Sequence, residues 1–493
     1  MTYRKTWFSY VIWILYTGLC VTLLAFAGYS VYGIYVKAAP AKLGALLVFP
    51  LLVCIYLALK QSALVIRRRR SLSLHSKLML EAFCVSVSFV FGFLVRLRMF
   101  RDAEILLTSG DTLSGGFMEK ALVRAGESIE PIAHGLSYLY VLTLSAVFSF
   151  LGNSVSAAML LQIVFELLSM LLGYRLMKAT AGRFAACMTL LFLAFSPVFV
   201  QKIAVIDPEC LFLVLYLFGI SSVVFYGRAV LADRPVCRNI FAAILPGAVI
   251  GILSYFDLSA VTILFFFAVL FVGKREDTQL SEIGKNILRL FVTIMSCFAA
   301  FFMIIGVDSA ASGVSLERSL YVWAYPYLQI GGTMMRMGEL YGNVPFCAIL
   351  FLPAAFLVFE FFRSGKEQDH AIWLFFCMLF TPFLLWEVWT VDLSGLSLFF
   401  WSAAAALGVK NCLFGGEAEV VQAKIEEINA AAAPIPVSAE SEKTASPQKP
   451  RFLENPLPVP KKHVKKEMDY DYPIASEMMH FDLELTNEDD FAL

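Results

Sequence analysis

Apolar stretches recur along this 493-residue chain, many of them close to the ~20 residues that cross a bilayer as a helix. Lipid offers the backbone no hydrogen-bond partner, so only helices and closed barrels span it. The strict alternation of a barrel strand is missing from these stretches. Charged residues make up 16% of the chain, well below the roughly 25% of a soluble domain. We therefore predict an all-α, polytopic transmembrane helical bundle.

The charges between the apolar stretches orient the bundle. The predicted spans are about 7–35, 43–66, 78–99, 154–177, 184–204, 209–227, 240–256, 258–273, 287–306, 344–362, 370–389 and 391–409. With the N-terminus inside, the basic residues between spans fall in cytoplasmic loops, among them Arg67 to Arg70, Lys178 and Arg228. We expect about twelve crossings of the plasma membrane, with both termini in the cytoplasm.

The apolar stretch from Gly135 to Leu151 is ambiguous, because hydropathy alone allows a thirteenth, short span. If it crossed, the basic residues around Arg175 and Arg228 would move outside. We therefore predict a helix that lies at the outer face or re-enters it, and with it an outer juxtamembrane loop over 100–152.

Composition divides the chain into three parts. Two additional spans occupy 1–77, and a membrane core occupies 78–413. Residues 414–493 form a polar tail with several prolines, which we predict to be cytoplasmic and largely disordered. Tail residues 450–493 hold proline-rich, basic and acidic runs, which would suit a cytoplasmic docking partner or anionic lipid headgroups. The first apolar segment, Trp7 to Val36, is too long for a signal-peptide core and is expected to be retained.

The outer loop carries most of the residues that could support chemistry. Asp111 stands at the start of a predicted short amphipathic helix, so its carboxylate is an N-cap, a reactive group or both. Asp102 and Glu104 lie near the end of the third span, where ion pairs with Arg96, Arg98 and Arg101 can neutralise them.

A series of motifs follows in order from about Val85 to Leu270. In sequence they are Gly110-Asp111 with Phe117, Glu130-Pro-Ile-Ala-His134 before Gly135-Leu-Ser-Tyr-Leu-Tyr140, Phe150-Leu-Gly-Asn-Ser154, Gly173-Tyr-Arg-Leu176, Ala181-Gly-Arg183, Ser196-Pro197 and Ile206-Asp-Pro-Glu209. This order resembles the GT-C class of membrane glycosyltransferases, which includes protein mannosyltransferases and lipid A aminoarabinose transferases. Many members carry an Asp-Glu pair in the first outer loop, whereas Thr112 follows Asp111 here.

The resemblance implies inverting transfer of a sugar from a polyprenyl-phosphate donor to an envelope glycan, lipid or protein acceptor on the outer face. Asp111 would accept the proton of the attacking hydroxyl, and Arg336 would contact the leaving phosphate. Substrate contacts are further expected from Glu209, Asp207, His134 and Asp102. The resemblance leaves a divalent metal ion open as a cofactor. Membrane lipids are expected partners, and nucleic acid is not.

Structural readings stand beside these roles. Asp207 and Glu209 are also suited to cap the sixth span, with Pro208 in its first turn. His134 is equally a structural histidine, and Arg336 an interfacial arginine beside an aromatic belt.

Three other functions compete with glycosyl transfer. A transporter or flippase of lipid-linked sugars would place ionisable residues deep within spans, for which Glu81, Glu166 and Glu360 are the candidates. Glu81 and Glu360 lie near predicted cytoplasmic ends, and the two halves show no convincing repeat. An envelope polysaccharide polymerase would carry its large outer loop late in the chain, whereas here that loop comes early. A non-catalytic scaffold would act through the tail.

Overall fold

The computed structural model is almost entirely helical over the residues it describes. These are 10–23, 74–107, 135–152, 154–196, 199–200, 202–204, 206–231, 240–272, 280–328, 334–335, 353–355, 357–358, 371–387 and 393–414. Within them, the one strand pairing is an antiparallel ladder of two residues on each side, Met334–Met335 with Trp386–Glu387. The predicted all-α class is confirmed for this part of the chain.

Twelve α-helices and three 3₁₀ turns make up the described structure. The helices are α1 Tyr10–Leu23, α2 Leu74–Leu107, α3 Leu136–Leu151, α4 Val155–Ala181, α5 Arg183–Phe195, α6 Glu209–Leu231, α7 Ile244–Phe256, α8 Ile263–Val272, α9 Leu280–Ser312, α10 Leu316–Leu328, α11 Ala371–Leu385 and α12 Ser394–Phe414. The 3₁₀ turns are Lys202–Ala204, Ile240–Ala243 and Leu258–Thr262.

Four of these helices are long and apolar enough to cross a membrane. The four segments are Leu78–Phe100, Val155–Ala181, Glu209–Val230 and Gly284–Ser312. Shorter apolar helices cover most other predicted spans, while the span at 43–66 and the tail from 415 lie outside the described residues. The protein is thus a helical membrane protein, and the number of about twelve crossings stays a prediction.

Basic side chains gather at one end of the bundle, around the C-terminus of α4. Arg228 donates to the Ala179 carbonyl oxygen at 2.6 Å, and Lys410 donates to that of Ala181 at 3.0 Å. These donors occupy carbonyls that a helix C-terminus leaves without an intrahelical partner. We call this the basic end, and the end where α4 and α6 begin the far end. That the basic end faces the cytoplasm stays a prediction.

Glu81 of α2 joins this basic end. Its Oε1 accepts hydrogen bonds from Lys178, at 2.6 Å, and from the Tyr174 hydroxyl, while its Oε2 lies 3.6 Å from Arg183 Nε. The placement matches the prediction that Glu81 lies near a span terminus rather than deep in the membrane.

Helices α7 and α9 pack so closely that two glycines are required between them. A Cβ atom on Gly247 would lie 2.3 Å from the Thr293 oxygen, and one on Gly251 would lie 2.2 Å from the Cys297 oxygen. The four-residue spacing puts both glycines on one face of α7, the small-residue pattern that lets membrane helices approach closely. This motif was not recognised in the sequence.

Helix α12 is the core of the bundle. Its residues are buried from Ser394 to Val409, and Phe400 forms stacked ring pairs with both Phe376 and Phe380, at centroid distances of 5.0 and 5.5 Å. A helix enclosed on all sides needs no polar face. By contrast, α9 exposes an apolar stripe suited to contact with lipid, which consists of Phe291, Met295, Phe298 and Phe302.

Both ends of α3 lie at the far end of the bundle. Gly135, at φ 83°, begins α3 so close to α7 that a Cβ there would lie 3.4 Å from the Phe256 oxygen. Gly152, at φ 85°, ends α3, and two residues later Ser154 caps α4 through the Ala157 N–H. The helix thus starts and stops on one side, the geometry expected of the segment predicted not to cross; its position in a membrane stays a prediction.

Candidate functional site

Five charged side chains from four parts of the chain converge toward the far end. They are Arg96 of α2, Glu166 of α4, Lys202 of the first 3₁₀ turn, and Asp207 and Glu209 at the start of α6. We call this set the polar cluster. Cys210 interacts electrostatically with the last four of them, which places them in one neighbourhood. Three carboxylates here face two cations.

The first part of the cluster is a closed ion pair between α2 and α4. Arg96 Nε lies 2.6 Å from Glu166 Oε2, and both side chains have no exposed surface. The other guanidinium nitrogens donate to the carbonyl oxygens of Gly92, Ala194 and Leu193 at 3.0, 3.3 and 3.4 Å. Charges this deeply buried are held only when paired and hydrogen-bonded.

The surroundings of the pair explain how it fits between helices. Gly92, one turn before Arg96, leaves room for the guanidinium, because a Cβ there would lie 3.3 Å from Arg96 Nη1. The Phe199 ring lies under the guanidinium, with its centroid 5.6 Å from the Arg96 Cζ atom. On the other side, the Cys210 thiol approaches Glu166 Oε1 at 3.9 Å.

The second part of the cluster centres on Glu209, which is 3% exposed. Its Oε2 lies 2.5 Å from Lys202 Nζ. Its Oε1 accepts hydrogen bonds from the Gly395 N–H and, at 3.3 Å, from the Ser394 hydroxyl. Because Ser394 opens α12, a carboxylate of α6 caps the positive N-terminus of the core helix. The anticipated capping role therefore exists, but on a helix 185 residues away.

Asp207 organises the entry to α6. Its Oδ1 accepts the Glu209 N–H at 3.0 Å, and the Pro208 oxygen accepts the Phe212 N–H at 2.9 Å. The helix begins at Glu209, so Pro208 immediately precedes the predicted first-turn position, a difference within the usual uncertainty of helix ends. Gln162 of α4 contacts this entry, because its Nε2 donates a hydrogen bond to the main-chain carbonyl oxygen of Asp207 at 2.8 Å.

Gln162 also donates to the Tyr140 hydroxyl at 2.9 Å. Tyr140 belongs to α3 and is fully buried, so this bond joins α3 to the polar end of α4 and α6. The predicted outer-face helix is therefore attached to the same neighbourhood as Asp207 and Glu209.

The structure brings together two of the six predicted site residues, Asp207 and Glu209. Asp111, His134 and Arg336 lie outside the described residues, and Asp102 lies in α2, where only the backbone is described. The functional roles assigned to all six stay predictions.

Arg96 and Lys202 were not among the predicted site residues. Arg96 was expected to neutralise Asp102 and Glu104, but its guanidinium is directed at Glu166. Both cations lie near the ends of predicted spans, 78–99 and 184–204, where hydropathy treats a positive residue only as a sign that the span is ending.

The described part of the cluster does not fit a metal ion. No group of three or more His, Cys, Asp or Glu side chains suited to a metal occurs among the described residues. The carboxylate oxygens of Glu209 face Lys202 and the start of α12, and those of Glu166 face Arg96 and Cys210.

No family model matches the chain, and no curated protein matches it in sequence. Three solved structures of the Archaeoglobus fulgidus oligosaccharyltransferase resemble it. They are the complex with Zn and sulfate (14% identity, TM-score 0.34, 62% of this chain and 43% of that one), the apo form (11%, 0.43, 71% and 52%) and the form tethered to an acceptor peptide containing the NVT sequon (10%, 0.37, 71% and 51%). This chain spans about half the length of those proteins.

Proposed function

We propose that the protein transfers a sugar from a polyprenyl-phosphate donor to an acceptor at the far end of the bundle, on the extracytoplasmic face. One observation carries the proposal: the described helices on either side of Asp111 approach the end that holds Asp207 and Glu209. Helix α2 runs from the basic end past Arg96 to Leu107, and Gly135, which precedes α3, packs against the end of α7. This supports the proposal that the two acidic motifs of the GT-C resemblance share one site.

Each side chain has a separate role in the proposed reaction. An acceptor hydroxyl attacks the anomeric carbon while Asp111 takes its proton. The bond from that carbon to the phosphate oxygen breaks, and the lipid phosphate leaves with the electron pair. Arg336 stabilises the charge that develops on the phosphate. Asp207, Glu209, His134 and Asp102 contribute to the walls of the site.

Replacing Asp111 tests the proposal in cells. Cells that lack the protein are complemented with the wild type, with Asp111→Asn or with Glu119→Gln, which removes a charge from the same loop. Mass spectrometry then follows the lipid-linked sugars and the envelope glycans. The proposal predicts that Asp111→Asn accumulates a lipid-linked sugar and loses one glycan, because removing a general base costs about 10²–10⁴ in rate.

The matched control and the expression level decide how this result is read. Glu119→Gln is expected to restore the wild-type glycans, and immunoblots of membranes must show equal amounts of all three proteins. Unchanged glycans with Asp111→Asn at equal expression would remove Asp111 as the base.

A transporter of lipid-linked sugars is the second candidate, and the buried Glu166 is the observation that favours it. An ionisable group inside a span marks a transport path by default. The buried ion pair of Glu166 with Arg96 instead favours a structural role, in which the pair holds α2 and α4 together. Sealed vesicles distinguish the two functions, since transport moves the sugar lipid across the membrane without forming a new glycosidic bond.

A further inference from the structure

We infer that Lys202 is a built-in cation that occupies the place a divalent metal ion would take at the Asp207-Pro208-Glu209 motif. The inference concerns a motif used in the proposed function, and its functional meaning rests on that proposal. It follows from the partners of the two carboxylates and from the position of the ammonium group.

The ammonium group is placed by a turn that packs against two helices. Lys202 opens the 3₁₀ turn Lys202–Ala204, which packs against α2 and α4. Its side chain is 12% exposed, and Nζ lies 2.5 Å from Glu209 Oε2. Lys202 also interacts electrostatically with Glu166. Of the two cations of the cluster, Lys202 is therefore the one at ion-pair distance from Glu209.

The other carboxylate oxygen of Glu209, Oε1, also has hydrogen-bond partners. It accepts from the Gly395 N–H and the Ser394 hydroxyl, and a Cβ on Gly395 would lie 3.0 Å from it. A metal ion bound to this oxygen would have to displace Glu209 from the N-terminus of α12. The helix there favours a carboxylate and disfavours a second cation.

Among the described residues, too few oxygen ligands remain for a divalent ion while Lys202 is paired with Glu209. Mg²⁺ and Ca²⁺ take six or more oxygen ligands, with carboxylates among them. Glu166 is closed by Arg96, and Asp207 Oδ1 accepts the Glu209 N–H. Binding a metal would also expel Lys202 from its carboxylate while leaving its ammonium largely buried. Lys202 supplies the positive charge without this rearrangement.

The test is Mn²⁺ binding to the purified full-length protein in detergent, measured by electron paramagnetic resonance up to about 1 mM, the weak end of protein cation sites. The wild type and Glu209→Gln are expected to bind equally little Mn²⁺. Lys202→Met is expected to gain Mn²⁺ binding, because it frees Glu209 beside Asp207, and the double variant Lys202→Met/Glu209→Gln is expected to lose it again.

Two further variants control for charge and folding. Lys202→Arg keeps the cation and is expected to bind no Mn²⁺, and Lys285→Met removes an exposed lysine of α9 and is expected to match the wild type. Size-exclusion profiles check that each variant is folded. Wild-type Mn²⁺ binding that disappears in Glu209→Gln would overturn the inference, and so would folded Lys202→Met that gains none.

The wild-type comparison does not depend on whether Lys202→Met folds. Because binding is measured without turnover, its outcome is independent of the Asp111 experiment. If Asp111→Asn loses a glycan and the wild-type protein binds Mn²⁺ through Glu209, the proposed function stands and only the inference about Lys202 is refuted.

Discussion

Replacing Arg96 by methionine should strongly destabilise the bundle. The change keeps much of the volume of the side chain but removes the guanidinium from a site with no exposed surface. Glu166 would then lose its ion-pair partner and retain the Cys210 thiol at 3.9 Å and an electrostatic interaction with Lys202. The carbonyl oxygens of Ala194 and Leu193 would lose their Arg96 donors as well.

The expected cost follows from this burial. Removing one partner of a buried ion pair costs about 3–5 kcal/mol, because the other charge is left uncompensated. Since neither side chain is exposed, solvent does not reduce this figure. Replacing both partners with apolar residues of similar size, in Arg96→Met/Glu166→Leu, should instead bring stability back to the wild-type value or above it, by up to about 4 kcal/mol.

Reversible unfolding in mixed detergent and SDS micelles, followed by tryptophan fluorescence, measures these free energies. Arg318→Met is the matched control, because Arg318 is an exposed residue of α10, and it should change stability by less than about 0.5 kcal/mol. A cost below about 1 kcal/mol for Arg96→Met, or a double variant as unstable as the two single changes added together, would refute a closed, dry pair.

Three further changes test the packing with the same measurement. Gly251→Ala should cost about 1–3 kcal/mol by forcing α7 from α9, whereas Gly306→Ala, where a Cβ meets nothing within 4 Å, should be neutral; equal effects would contradict the close contact. Ser154→Ala should cost about 1 kcal/mol by removing the cap of α4, and no loss would mean that another acceptor serves Ala157. Tyr174→Phe should cost about 1.5–3 kcal/mol by removing a hydrogen bond to the Glu81 carboxylate, and an unchanged stability would show that Glu81 is satisfied without it.

The helices themselves were largely predictable. The predicted spans at 78–99 and 209–227 lie within α2 and α6, and the span at 154–177 begins one residue before α4 and ends within it. Long apolar runs form helices in lipid because a helix satisfies its own backbone hydrogen bonds. The interruptions were visible as well, since Gly182 and Asp257 lie between consecutive helical segments, as expected from the boundaries near 184 and 258.

The candidate site was predictable only in part. The acidic pair Asp207 and Glu209 could be found because it interrupts apolar sequence at the start of a span. Their partners could not be found. The sequence does not show in which direction the chain turns between Lys202 and Glu209, and Gly395 is 186 residues from Glu209. The sequence also left Glu166 as a transport candidate, since nothing in it shows that α2 would present Arg96 to that carboxylate.

Sequence alone established that this chain forms apolar helices suited to a membrane, and it located the ends of several of them to within a few residues. These are local properties, set by the summed hydropathy of about 20 neighbours and by the charges at their ends. Only the tertiary structure decided that Arg96 closes on Glu166, that Lys202 and the start of α12 share Glu209, and that α7 meets α9 through two glycines. Each of these contacts depends on how two helices are rotated and how closely they pack, and one-dimensional hydropathy contains neither quantity.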